Sequence, residues 1–224
     1  MSREDRPGET IDDKPAGQRR IVIAGNIGAG KTTLARMLSA RFGWPVDVEP
    51  AAENPWLRDF YSDMSRWALE SQLWFLAARL ERESTREDRG SPLLEDRSIY
   101  EDAEVFARNL ALAGHMTDRQ WDLYSSIYRS ACQFIAPPGL VVFLDAPVSQ
   151  LEANIAKRGR EFEGSVPREY LKQLDARYQE WIASFGLAPI FRIDLRDVDF
   201  VASKRDQNDV ENAIESKLKT LKIG

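Results

Sequence analysis

The chain of 224 residues contains one cysteine and one histidine, and both scarcities exclude chemistry. A lone Cys132 rules out an internal disulfide, and its apolar, helical surroundings suit a packed thiol. A lone His115 removes His-based metal sites and Ser-His-Asp catalysis from consideration. It follows Gly114 at a predicted helix end, where a solvated or capping role is the commoner one. No apolar run approaches the ~18 residues that would span a bilayer. The opening stretch MSREDRPGETIDDKPAGQRR has no apolar segment of the kind a signal peptide needs, so a soluble, cytoplasmic protein is expected. Positive charge is also in short supply. A net charge of −5 argues against a general nucleic-acid binder, which needs a strong positive field. Any phosphate recognition must come from a few local groups.

The 43% hydrophobic content supports one sizeable core, and no linker interrupts the pattern after residue 20. Residues 1–18 are charged and rich in Gly and Pro, which predicts a disordered tail ahead of a single domain over 19–224. Arg20–Ala24, Val46–Val48, Pro92–Asp96, Leu140–Asp145 and Ile190–Asp194 read as short strands. Thr32–Phe42, Asn54–Glu83, Tyr100–Ala113, Thr117 to before Pro137, Ser149 to near Gly159, Pro167–Phe185 and Asp209–Leu221 read as helices. Short continuous apolar strands alternating with helices imply an α/β, three-layer fold, with a five-stranded parallel sheet covered on both faces.

Gly25-Asn26-Ile27-Gly28-Ala29-Gly30-Lys31-Thr32 matches the pattern GxxxxGK followed by Ser or Thr, between a buried strand and a helix. Glycines let backbone N–H groups close around phosphates, and the helix beginning at Lys31 points its positive end at the same anions. Lys31 is placed for the β- and γ-phosphates and Thr32 for Mg²⁺. No Asn-Lys-x-Asp pattern reads guanine, and the strand Leu140–Asp145 does not end in the paired acids of a remodelling ATPase. A small-molecule kinase is the leading class.

The acceptor side is read from several segments. Glu49 follows the second strand and faces the region above the phosphate loop, either as a base for a hydroxyl proton or as a solvated loop acid. On one continuous helix, Asn54, Tyr61, Gln72 and Arg79 fall on one line with Ala68 and Phe75 beside it, a mixture that suits a pocket wall. Asp96-Arg97-Ser98 ends the third strand, where Asp96 could hold Mg²⁺ through water and Arg97 could fork onto phosphoryl oxygens. Asp102 beside Arg79 would fix that guanidinium, and Phe106 could stack on a base. For all four an ordinary strand end and helix face is an equal reading. Arg158-Gly159-Arg160 is a basic turn that could close over a triphosphate as a lid spanning about 157–165, or simply place arginines at a helix C-terminus.

In this order, GNIGAGKTT (25–33), VEP (48–50), NPWLRDFYSDMSRWALESQLWFLAAR (54–79), DRSIYEDAEVF (96–106) and RGREFEGSVPREYL (158–171) resemble the deoxyribonucleoside kinase family. The variant DRSIYED is most similar to bacterial deoxyadenosine/deoxyguanosine kinases. The resemblance implies a P-loop kinase fold and transfer of the ATP γ-phosphoryl group, with Mg²⁺, to the 5′-hydroxyl of a deoxyribonucleoside. A purine is the expected acceptor base; deoxycytidine or broad specificity, a nucleoside monophosphate kinase and a non-catalytic nucleotide-binding subunit are the alternatives. It implies Glu49 as general base assisted by Arg97, with Lys31 catalytic and Gly25 to Thr33 on ATP. Tyr61 and Glu163 would hold the 3′-hydroxyl. Gln72 would read the base, flanked by Arg79, Asp102 and a stacking Phe106. Arg158 and Arg160 would be lid arginines, and a stretch around Arg196 to Phe200 would pack near adenine. Asn154 stands where some relatives have another lid arginine, and Phe75 replaces a smaller residue. A homodimer is expected, with the apolar residues of the Thr117–Ile135 helix as one candidate surface and core packing as the other account of them.

Overall fold

A computed structural model describes residues 19–86, 91–159 and 166–223. The calls on the tail 1–18, on Arg160 and on Glu163 therefore lie outside the described residues. Five strands, β1 (Arg20–Gly25), β2 (Val46–Asp47), β3 (Leu93–Asp96), β4 (Leu140–Asp145) and β5 (Ile190–Asp194), form one parallel sheet in the order β2-β3-β1-β4-β5. β1 is buried throughout and β4 nearly so, as continuous apolar strands covered on both faces must be. The chain passes from β1 outward to β2, back through β3, and then to β4 on the other side of β1. This reversal opens a crevice at the carboxyl ends of β1, β3 and β4, where open α/β sheets bind ligands.

The helices are α1 (Lys31–Phe42), α2 (Leu57–Ser62), α3 (Met64–Thr85), α4 (Ile99–Glu101), α5 (Arg108–Leu112), α6 (Asp118–Ala131), α7 (Val148–Arg158), α8 (Arg168–Ser184) and α9 (Lys204–Leu221). Local chemistry sets their ends. Gly43 and Gly159 close α1 and α7 in left-handed conformations, and Thr117 with Gln120 forms the expected capping box of α6. A π-helical stretch, Asp102–Ala107, joins α4 to α5. The fully buried Ile21, Ile23, Leu34, Leu38 and Leu140 each contribute roughly 1.5–3 kcal/mol by leaving water.

Two helix expectations need correction. The final helix begins at Lys204 rather than Asp209, because Ser203 caps it by accepting from the Asp206 N–H. The segment expected as one helix from Asn54 is broken. A 3₁₀ turn (Ala51–Glu53) precedes α2, and Asp63 leaves the helical region and caps α3 through the Arg66 N–H. Asn54 and Tyr61 are therefore off the α3 cylinder, and the angular alignment that placed them with Gln72 and Arg79 does not apply.

Asp63→Ala is expected to lower stability by about 1 kcal/mol through loss of the cap, and the melting temperature by roughly 2–4 °C. Thermal denaturation followed by circular dichroism measures it.

A candidate phosphoryl-transfer site at the carboxyl ends of the strands

The phosphate loop leaves β1 through three glycines with positive φ: Gly25 (149°), Gly28 (84°) and Gly30 (92°). A Cβ at Gly25 would lie 2.9 Å from the Leu144 carbonyl oxygen, and one at Gly30 would lie 2.7 Å from the Phe200 ring, so side chains are excluded there on two counts. The Asn26 side chain ties the loop to α8 through the Leu171 carbonyl (2.9 Å) and accepts from the Ile27 N–H (2.8 Å). Lys31 donates to the Asn26 carbonyl at 3.0 Å. Burial, with Arg97 nearby, pulls the Lys31 ammonium down to about 8. The Thr32 hydroxyl donates to Asp96 at 2.5 Å, while the other Asp96 oxygen is buried with no hydrogen-bond partner among the described residues.

Arg97 ends β3 with φ 64°, a conformation costly for a residue with a Cβ. Its N–H donates to the Ile23 carbonyl (3.1 Å), which carries the sheet one residue past β3. Its guanidinium donates to Glu49 at 2.6 Å and lies over the Phe106 ring at 4.1 Å. Burial works against the charge on Arg97, but Glu49, Tyr178, Glu101 and Asp102 outweigh it and raise the pKa. Behind it, Arg79 pairs with Asp102 and donates to the Arg97 carbonyl at 2.8 Å. Burial likewise opposes its charge, and Asp102 keeps it protonated.

A cavity of about 290 Å³ gathers most of the expected residues. Gly28, Gly30, Lys31, Thr32, Thr33 and Arg158 share its wall with Glu49, Arg97, Tyr61, Gln72, Phe75 and Phe106. Gln72 is 4% exposed, and its carbonyl oxygen has no hydrogen-bond partner among the described residues. Arg79 and Asp102 are brought together as expected but stand behind the wall rather than on it. Asn54 is absent from the wall too; its amide ties the chain before α2 to Ser71 of α3. An adjoining cavity of about 250 Å³ is lined by Gly28–Gly30, Asn154, Lys157, Arg158 and residues from Leu195 to Val201. The Asn154 amide donates to the Gly28 carbonyl at 2.8 Å. His115 meets Ser65 at the surface, 2.9 Å away.

Sequence reasoning gave no role to Tyr170, which lines the first cavity, or to the buried Glu101 and Tyr178 beneath the loop. Glu101 lies within the quoted segment DRSIYED, but only the folded chain shows what it meets. No cluster of three or more His, Cys, Asp or Glu side chains is placed to hold a metal among the described residues. A divalent ion here would take few protein ligands. Thr32 and the other oxygen of Asp96 are the hard oxygen donors that Mg²⁺ favours alongside phosphates and water. No helix among the described residues is long and apolar enough to cross a membrane.

Comparison with known proteins agrees with this fold. The family model for deoxynucleoside kinases matches residues 21–219. The deoxyadenosine/deoxycytidine kinase of Bacillus subtilis is 32% identical over 197 residues, covering 87% of this chain and 89% of that protein. The deoxyguanosine kinase of the same organism is 32% identical over 194 residues, covering 83% and 91%. Among solved structures, the deoxyadenosine kinase from M. mycoides with products dCMP and dCDP superposes with a TM-score of 0.76. It is 25% identical, with 88% of this chain and 98% of that one covered.

Lys31→Met is expected to raise the melting temperature of the ligand-free protein at neutral pH while abolishing turnover, because it removes a buried cation. The depressed pKa means the unfolded chain binds more protons between about pH 8 and the ordinary lysine value of 10.5, so stability rises with pH across that window. Melting curves from pH 7 to 10.5 should show that gain in the wild type and lose it in the variant. An identical pH dependence in both would count against a depressed Lys31.

Proposed function

The chain belongs to the deoxynucleoside kinase family, and on that basis we propose that it transfers the ATP γ-phosphoryl group to the 5′-hydroxyl of a purine deoxynucleoside. The observation that carries this reading is the shared cavity, whose one wall holds the phosphate loop, the Glu49–Arg97 pair, and the Tyr61, Gln72, Phe75 and Phe106 cluster. Glu49 accepts the proton of the 5′-hydroxyl as its oxygen bonds to the γ-phosphorus and the bond to the β-phosphate oxygen breaks. Arg97 orients the Glu49 carboxylate and directs its remaining donors at the phosphoryl oxygens. Lys31 swings from the Asn26 carbonyl to the β- and γ-phosphates, and Arg158 closes on them. Thr32 and Asp96 would hold Mg²⁺, which would supply charge neutralisation of the triphosphate when bound.

Gln72 pairs with the base edge, and Tyr61 meets the sugar. The Arg79–Asp102 pair supports this wall from behind, in keeping with the relatives named for deoxyadenosine, deoxyguanosine and deoxycytidine. The segment from Leu195 to Val201 receives the adenine of ATP over Gly30. Among the described lining residues, Lys31, Arg97 and Arg158 are taken up by the transferred phosphoryl group in this reading, which leaves Arg36 as the one further cation and favours a nucleoside over a nucleotide. A homodimer in the cytoplasm completes the reading, with the exposed Leu123, Ile127 and Phe134 on and beside α6 as the face for a second copy.

Glu49→Gln should lower kcat by about 10²–10⁴ with ATP binding retained. Near-normal turnover would remove Glu49 from the chemistry. Gln72→Ala should raise the deoxynucleoside KM without a matching change for ATP, and equal losses would deny it the base-reading role. Phosphorylation of the four deoxynucleosides, with ribonucleosides and dTMP as controls, tests the acceptor. Activity on dTMP alone would overturn it.

A further inference from the structure

Glu101, the last residue of α4, has 0% of its surface exposed and lies beneath the first glycine of the phosphate loop. Its Oε1 accepts from the Gly25 N–H at 3.2 Å. The same oxygen is 2.9 Å from the Tyr178 hydroxyl of α8, which donates to the Gly25 carbonyl at 2.7 Å. The other carboxyl oxygen, Oε2, accepts from the Ser98 N–H (3.0 Å) and the Ser98 hydroxyl (3.3 Å). Both backbone polar groups of Gly25 are thus engaged by side chains from helices on different parts of the fold.

Counting protons decides the state of this ring. A phenol has one proton, and the Gly25 carbonyl, at the shorter distance, can only accept it. The one phenol proton faces two acceptors, and a proton on Oε1 that donates to the phenol oxygen satisfies both contacts at full strength. Oε2, which receives two donors, is the unprotonated oxygen. The surroundings agree. Burial pushes the Glu101 carboxyl up to about 7 against the opposing pull of Arg97, Lys31 and the Tyr178 hydroxyl, while Asp102 adds to the rise. These are the groups that face it: Lys31 from α1, Arg97 from the turn after β3, Asp102 from the π-helical stretch and Tyr178 from α8. Burial first, and then Glu101, keep the phenol protonated.

We propose that Glu101 and Tyr178 form a positioning pair for phosphoryl transfer, a buried carboxylic acid and phenol that clamp Gly25 and fix where the phosphate loop leaves β1. β1 pairs Gly25 with Leu144 of β4, but the pairing ends there, and the side-chain contacts set how the chain turns into the loop. The Gly25 φ of 149° leaves it conformationally free, and no Cβ packs it in place. Neither residue touches substrate, so each acts through the backbone. Ionisation of Glu101 breaks the arrangement twice. The phenol proton must then choose between carboxylate and carbonyl, and a negative charge appears under a loop that receives a polyanion. Triphosphate affinity therefore falls as pH rises through neutrality.

The inference rests on the reading of Gly25 to Thr32 as the ATP site, and Lys31→Ala separates the two. The intact chain and its Tyr178→Phe, Glu101→Gln and Lys31→Ala variants are compared by steady-state kinetics, melting temperature and ATP titration across pH. Tyr178→Phe is expected to raise the ATP KM by about 5–20-fold, with the deoxynucleoside KM within about twofold. Wild-type ATP affinity is expected to weaken several-fold between about pH 6 and 7.5, and Glu101→Gln to show no such slope. An ATP KM unchanged in Tyr178→Phe, a loss shared equally by both substrates, or the wild-type slope in Glu101→Gln overturns the clamp. Loss of ATP affinity in Lys31→Ala alone overturns the clamp and leaves the loop's role standing. Full ATP affinity in Lys31→Ala overturns the loop reading itself, and the clamp with it.

Discussion

Three cations, Lys31, Arg79 and Arg97, lie buried within one site, and none has bulk water to solvate it. Removing an ion from water costs several kcal/mol, and removing one partner of a buried pair leaves an uncompensated charge that costs about 3–5 kcal/mol. The fold answers by delivering partners from separate elements: Glu49 after β2 pairs with Arg97, Asp102 of the π-helical stretch pairs with Arg79, and the Asn26 carbonyl receives Lys31. Each pairing fixes the element that brings it. The sheet order, the turn after β3 and the seating of α3 against the π-helical stretch all serve this neutralisation. Polyanion recognition needs dry positive charge, and dry positive charge needs this scaffold.

Strain is concentrated where the charges meet. Arg97 holds a left-handed backbone at the end of β3, and the next elements of the chain depart from regular geometry within a few residues, in the π-helical stretch. Both departures belong to the same segment, in which the Arg97 guanidinium lies over the Phe106 ring while Arg79 of α3 bridges the Arg97 carbonyl and the Asp102 carboxylate. Such conformations persist because surrounding contacts over-determine them. Arg97 has four: the Ile23 carbonyl, Glu49, the Phe106 face and the Arg79 donor to its own carbonyl.

Much of this was legible in the chain. All five strands fall where short apolar runs placed them; β1 and β4, buried on both faces, have no polar face to obscure them, while the edge strands β2 and β5 are only partly buried. The Thr117–Gln120 cap was legible because its two residues sit at a fixed spacing. The break at Asp63 is not legible, because an acid in a helical pattern looks like a solvated face until its side chain is seen to cap. The pairing of Arg79 with Asp102 was foreseen, but their withdrawal behind the cavity wall was not. Angular position on a helix says which face a residue shares, not how deep a neighbouring guanidinium such as Arg97 will push in front of it.

The sequence by itself determined the phosphate loop, the α/β class and the family, because each is written in local spacing: glycines where a Cβ would collide, short apolar strands alternating with helices, motifs in fixed order. Only the tertiary structure decided which buried groups neutralise which, and that Gly25 is held by Glu101 and Tyr178 from residues 76 and 153 positions away. The physical reason is that desolvation and proton sharing depend on distance in space. At Gly25 to Thr32 the local pattern names the ligand, and contacts invisible to that pattern set the loop's position and charge.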